Sequence, residues 1–122
     1  SRHHWGTDID VFDRAALSAG ELPALLPSEY QANGVFARLG EWLQDQMARD
    51  DAEGFFRPYD VDTGGLAVEP WHLSLRHTAE NYAVHINAKA LRELWFANPT
   101  LQPEAYPLLN DKLDQLLDRY VS

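Results

Sequence analysis

Polar and apolar positions alternate only briefly at the start of this chain, and from residue 33 onward they recur with helical spacing over three stretches. Thr7 to Val11 (TDIDV) alternates until Phe12 follows Val11 directly, which predicts a short strand with Asp10 on the face opposite a buried pair, Ile9 and Val11. Ser18 to Gly34 carries Gly20, Pro23, Pro27 and Gly34 and reads as a long loop with at most a helical turn around Leu22 to Leu26. Phe36, Leu39, Leu43 and Met47 recur at three and four residues, predicting a helix capped by Asn33 and ending near Asp50 to Gly54. Gly54 to Tyr59 (GFFRPY) and Leu66 to Leu75 (LAVEPWHLSL) read as strands joined by the turn Asp62 to Gly65 (DTGG). Asn87 is placed to cap a helix through Phe96, with Ala90, Leu91, Leu94 and Trp95 on its packing side, and Asn98-Pro99 ends it. Leu109, Leu113, Leu116, Leu117, Tyr120 and Val121 trace one face of a last helix. The expected class is α+β: one domain over residues 1–122, with a small antiparallel sheet of three strands packed against helices.

Composition narrows the function classes. The net charge is −9 and only two lysines, Lys89 and Lys112, are present, which argues against a nucleic-acid partner. No apolar run reaches the roughly 18 residues that a membrane span needs. Cysteine is absent, so neither disulfides nor thiolate chemistry can contribute.

Four side chains stand out on this background: His3 and Asp10 in SRHHWGTDID, and Glu69 and His72 in EPWH. A catalytic zinc takes three protein ligands from His, Asp, Glu or Cys and leaves a fourth position for water, and His3, Asp10 and His72 can supply that set. Glu69, three residues before His72, is then placed beside the metal as a general base. A Glu-x-x-His pair alone is usually a surface pair on a helix, and a His-His pair near a chain start is common in solvated tails; the combination is what points to a metal. His4, His77 and His85 read as surface or core-edge histidines. On an ideal strand Glu69 and His72 point to opposite faces. Pro70 lacks an N–H for the ladder, so a strand irregularity is expected there that turns both side chains toward one metal.

These motifs resemble those of the D-alanyl-D-alanine carboxypeptidase and dipeptidase family of the VanY and VanX type, Ser-x-His-x-x-Gly-x-x-x-Asp followed by Glu-x-x-His. Every fixed position is met, by Ser1, His3, Gly6, Asp10, Glu69 and His72, and the family's second motif is commonly Glu-Pro-Trp-His, as in Glu69 to His72. The resemblance implies a hedgehog/DD-peptidase-like fold, with zinc held by His3, Asp10 and His72 and Glu69 as the catalytic base. It further implies that Ser1 and Trp71 lie near the substrate, a D-alanyl-D-alanine peptide or related peptidoglycan stem peptide. The chain departs from the family at Asp8, where many relatives carry a small residue such as Ala; a carboxylate pointing at the site is expected to alter metal affinity or working pH. In the family a preceding stretch usually supplies an arginine for the substrate or the scissile carbonyl, so an N-terminal segment of the full-length protein is expected to be missing. Arg2, Arg57 and Arg76 are the candidates within this chain for a substrate carboxylate, each otherwise an ordinary surface arginine.

The alternative is a non-catalytic zinc-binding protein-interaction module of the same fold, since the hedgehog signalling domain keeps a metal site while acting through partners. Carboxypeptidase, dipeptidase and endopeptidase members share the motifs and differ in the loops around the cleft, which makes the Ser18 to Gly34 loop a candidate substrate wall. The resemblance also implies the cell envelope or periplasm, although no signal sequence is visible. The last helix is expected to pack on its own sheet in a monomer, with a dimer contact as the other reading.

Overall fold

The computed structural model describes residues 2–121. Its centre is a three-stranded antiparallel sheet of Asp8–Asp10 (β1), Phe55–Phe56 (β2) and His72–Leu75 (β3), in the order β1-β3-β2. The described residues also form five α-helices, Pro27–Tyr30 (α1), Ala37–Ala48 (α2), Arg76–Ala83 (α3), Ala88–Ala97 (α4) and Tyr106–Tyr120 (α5), with 3-10 turns at Arg2–Trp5, Arg14–Ala16 and Pro99–Leu101. The α+β class and the single antiparallel sheet are as the pattern predicts. Among the described residues no helix is long and apolar enough to cross a membrane.

All three strands are shorter than the alternation suggests, and Ile9 is not buried as expected. Asp8 pairs with Ser74, Ile9 with Leu73 and Asp10 with His72. Because side chains alternate along a strand, Asp8, Asp10, His72 and Ser74 share one face, while Ile9 and Leu73 share the other. Both faces are partly buried: Asp8, His72 and Ser74 are enclosed on the polar face and Leu73 on the apolar one, whereas Ile9 is half exposed at the rim of an apolar groove against α2.

The third expected strand does not begin at Leu66. Glu69 to His72 forms a tight turn closed by the His72 N–H donating to the Glu69 carbonyl at 3.1 Å, and β3 starts only at His72. A turn brings its first and fourth residues together, so the irregularity expected at Pro70 is a reversal that precedes the strand. The Asp62 carboxylate accepts from the Gly64 N–H at 2.7 Å and shapes the DTGG turn as expected.

The cap of helix α2 is Phe36, three residues beyond Asn33, which adopts φ +70° in the preceding turn. A left-handed residue cannot lead into a helix from the cap, and Asn tolerates that conformation better than most. The helical turn in the loop is α1, just beyond the expected Leu22 to Leu26, because Pro27 is preset for a first helical turn and the Glu29 carboxylate accepts the Leu26 N–H at 2.9 Å. Asn87 caps α4 through the Ala90 N–H at 2.9 Å, as its position suggests. Periodicity does not signal α3, which runs directly out of β3. The last helix, α5, packs against α4 through Arg92, which donates to Asn110 and Asp114, and through the edge-on contact of Trp95 with Tyr106, so its main partner is a helix and not the sheet.

The aromatic core lies under the turn that carries Glu69. Tyr30, Phe36 and Trp71 form a buried cluster, with ring centres 5.1 Å apart for Tyr30 and Phe36 and 5.7 Å for Tyr30 and Trp71, and Leu17, Leu25 and Leu39 pack around it. Burial pushes the Tyr30 phenol up to about 12, with Glu29 and Asp10 adding to the effect, so it remains a donor, and its hydroxyl donates to the Val11 carbonyl at 2.7 Å. The Val11 N–H donates in turn to the Trp71 carbonyl at 3.0 Å, joining the loop, β1 and the second motif. Phe36 is 1% exposed. Phe36→Ala is expected to lower stability by about 3–5 kcal/mol in urea unfolding, through lost burial and the cavity left behind.

Candidate metal centre

Three side chains from separate parts of the chain meet at one end of the sheet. His3 sits in the first 3-10 turn, whose exit is made by Gly6 at φ +71°, with its N–H donating to the His3 carbonyl at 3.1 Å. That left-handed turn is open to glycine and strained for other residues, and it sets His3 beside β1. Asp10 and His72 face each other as cross-strand partners. The ligand atoms of His3, Asp10 and His72 all lie within 4.8 Å of one another. Asp10 Oδ1 is 3.4 Å from His3 Nε2 and 3.4 Å from His72 Nδ1. A tetrahedron with metal–ligand bonds of about 2.0–2.1 Å has edges of about 3.3 Å, so these separations fit a cation shared by the three groups. Two imidazoles with one carboxylate are also a donor set that zinc accepts.

Asp8 determines which nitrogens are left for that cation. Its backbone carbonyl lies 3.2 Å from His3 Nδ1, and its carboxylate lies 2.7 Å from His72 Nε2. One residue therefore engages the second nitrogen of both histidines, leaving His3 Nε2 and His72 Nδ1 facing Asp10. The Asp8 side chain is fully buried and also accepts from the Thr7 hydroxyl at 2.6 Å, the Ser74 hydroxyl at 2.6 Å and Arg2 Nε at 3.0 Å. Burial alone would raise its pKa, but the hydrogen bonds from Ser74, Thr7, His72 and Arg2 outweigh it and hold the carboxyl well below the usual range. Asp8 thus points away from the ligand cluster, behind His72, and is not an added charge aimed at the metal.

Glu69 stands on the open side, with Oε2 at 3.2 Å from His72 Nδ1, and its side chain is 27% exposed. Tyr59, which the motifs do not include, sets its ring edge-on to His72 at 4.8 Å, and its carbonyl accepts the Glu69 N–H at 3.0 Å. Burial raises the Tyr59 pKa, with Arg2 pulling it down and Glu69 and Asp8 pushing it up. These groups line a cavity of about 460 Å³. Trp71 lines it too, though it is 8% exposed and belongs to the aromatic core. Ser1, the first fixed position of the motif, lies outside the described residues.

Other expectations divide. His4, His77 and His85 are exposed and outside the cluster, as expected. The Ser18 to Gly34 loop contributes nothing to the cavity and packs into the core instead. Arg2 is no surface arginine: its side chain is 11% exposed and held by Asp8 and Ser74. Arg57 is half-buried on Gln44 and the Gly40 carbonyl, and Arg76 lies over the Phe56 ring, both at a separate cleft.

Residues 1–78 match the model of the D-alanyl-D-alanine carboxypeptidase family, VanY. The chain belongs to the D-alanyl-D-alanine carboxypeptidase family. It is also 32% identical over 123 residues to an uncharacterized protein of Haemophilus influenzae, an alignment covering 99% of this chain and 89% of that protein. No solved structure matches. The family match ends inside α3, so α4 and α5 lie beyond it.

Two outcomes check the role of Asp8. The His72 Nε2 proton should give a protected downfield resonance in proton NMR that Asp8→Ala abolishes. Because the folded-state pKa of Asp8 is depressed, its stabilisation is present above about pH 4 and is lost as pH falls further. Urea midpoints recorded against pH should therefore fall less steeply below about pH 4 in Asp8→Asn than in the wild type.

Proposed function

We propose that this family member is a zinc-dependent peptidase that hydrolyses D-alanyl-D-alanine or related peptidoglycan stem-peptide bonds at the cell envelope, with Glu69 as general base. The observation that carries the reading is the position of Glu69: its carboxylate lies beside the His3, Asp10 and His72 cluster, on the cavity side, 3.2 Å from the same His72 nitrogen that faces Asp10.

His3 Nε2, His72 Nδ1 and Asp10 Oδ1 would hold the ion. Zinc in such a site lowers the pKa of a water ligand from about 15.7 to about 7 and polarises a carbonyl oxygen. Glu69 accepts the proton as water attacks the peptide carbonyl and returns one to the leaving amine, a role that asks for a carboxylate in reach of the water and open to the cavity. His72, enclosed by protein and fixed by Asp8, and Asp10, on the neighbouring strand, keep the acceptor and the attacking water in a constant relation. Trp71 supplies apolar surface for a small aliphatic side chain, and Ser1 remains a candidate contact to the peptide.

The second reading is a non-catalytic zinc-binding module with a hedgehog-like fold. Three ligands with an adjoining open cavity and a carboxylate favour the enzyme, because structural zinc sites close their shell with a fourth protein ligand. Glu69→Gln should retain a full zinc complement while release of D-alanine from a stem pentapeptide falls about 10²–10⁴-fold. Retained activity would sink the general-base assignment, and zinc binding without any release by the wild type would favour the module. His72→Ala and Asp10→Ala should each lose zinc in elemental analysis after dialysis.

A further inference from the structure

A second cleft, of about 250 Å³, opens between the end of α2, β2 and the start of α3, and it shares no lining residue with the metal cavity. Charge of both signs faces it, from Arg57 and Arg76 and from Asp50 and Asp60. Among the described residues no ion pair joins any two of these four groups, and the carboxylates of Asp50 and Asp60 accept no hydrogen bond. Arg76 reaches only Glu80, 4.0 Å away on an exposed surface, and otherwise lies over the Phe56 ring at 4.2 Å from its centre. Such an exposed contact is worth little. Arg57 donates through Nη1 to Gln44 Oε1 at 3.1 Å and through Nη2 to the Gly40 carbonyl at 3.3 Å, both neutral acceptors. Its Nε is enclosed and, among the described residues, is the buried side-chain polar atom left without a partner. Burial lowers the Arg57 pKa and the charge of Asp60 offsets this in part, so that carboxylate is felt at the guanidinium without pairing with it.

An unmet buried donor calls for an acceptor, and unpaired carboxylates call for a donor. An ion of one sign would suit half of this lining and be repelled by the other half, whereas a molecule carrying both charges meets all four groups. The volume lies just under the roughly 300–1,000 Å³ of pockets that hold drug-sized ligands, which suits something smaller. We propose that this cleft binds a small zwitterion, a free amino acid or a dipeptide, whose carboxylate is taken by Arg57 and Arg76 and whose ammonium group is taken by Asp50 and Asp60. Arg57 engages the protein through only two of the five N–H donors that a guanidinium offers, and charge-assisted bonds to a carboxylate are the strong use of the others. The site stands apart from the peptidase reading, since none of its groups belongs to the metal cluster.

The test is an NMR titration of backbone amides in the full, zinc-loaded chain with glycine, glycylglycine, acetate and methylammonium. Glycine or glycylglycine should shift Phe55, Phe56, Arg57 and Arg76 saturably, at the millimolar concentrations that so few contacts imply, and the tighter of the two names the source. Acetate and methylammonium, each offering one charge, should bind at least about tenfold more weakly. Arg76→Gln, at a side chain 58% exposed, and Asp60→Asn should each weaken binding of the zwitterion by about tenfold. Arg57→Gln should do the same, and the Arg76 variant carries the test if loss of the half-buried Arg57 unfolds the chain. No saturable shift at these residues, shifts confined to the metal cavity, acetate binding as tightly as glycine, or equal binding by the wild type and the Arg76 and Asp60 variants would each overturn the proposal.

Discussion

The buried carboxylate of Asp8 constrains everything around it. It takes hydrogen bonds from Thr7, Arg2, His72 and Ser74, and its side chain is shut off from water. Removing the guanidinium of Arg2 would leave a buried charge without its ionic partner, typically at a cost of about 3–5 kcal/mol, and the other three donors complete the carboxylate's hydrogen bonding. Through Arg2 and the Asp8 carbonyl the network fixes the turn that carries His3; through Ser74 and His72 it fixes β3 against β1. A three-stranded sheet of two to four residues per strand has few ladder bonds of its own. Its rigidity at the site comes from this polar knot on one face as much as from the ladder.

The register then converts local pattern into a site. Because Asp8 lies opposite Ser74 and Asp10 opposite His72, a slip of β1 by one residue would move Asp8 and Asp10 to the α2 side and put Ile9 beside His72 and Ser74. Glu69 escapes that alternation because it lies before the strand, in the turn that Pro70 and Trp71 occupy. The turn is held from below by the Tyr30, Phe36 and Trp71 core, which is how packing some distance from the cluster bears on the placement of the proposed base.

What could be read from residues alone follows the same division. The spacing of His3, Asp10, Glu69 and His72, the cap at Asn87 and the stripe from Phe36 to Met47 are local signals, and each reappears in the structure. Ser74 carried a readable sign, two residues beyond His72 and therefore on its face, but a serine in a strand has no chemical signature of its own. The position of Asp8 was visible; its direction was not, because whether a carboxylate faces the cluster or lies behind it depends on Arg2 and Ser74 being there to receive it. The share of Tyr120 and Val121 in lining the cavity was least legible. Arg119 and Gly64 are 55 residues apart, and no periodicity links a glycine pair in a turn to the end of a helix. The Ser18 to Gly34 loop had the length and composition of a wall, yet Leu25 and Tyr30 commit it to the core.

The fate of the arginines bears on what the cavity is built to hold. Arg2 is spent on Asp8 and Ser74, Arg57 on Gln44 and Gly40, and Arg76 stacks on Phe56 away from the cluster. Around His72 this leaves the carboxylates of Asp8, Asp10 and Glu69 with the one guanidinium of Arg2, an excess of two negative charges when all are ionised. Groups this close and partly withdrawn from water repel strongly unless countercharge is supplied, and salt screens them far less than it screens exposed charges. A divalent cation shared by His3, Asp10 and His72 would balance them, with the Glu69 carboxylate beside it on the cavity side.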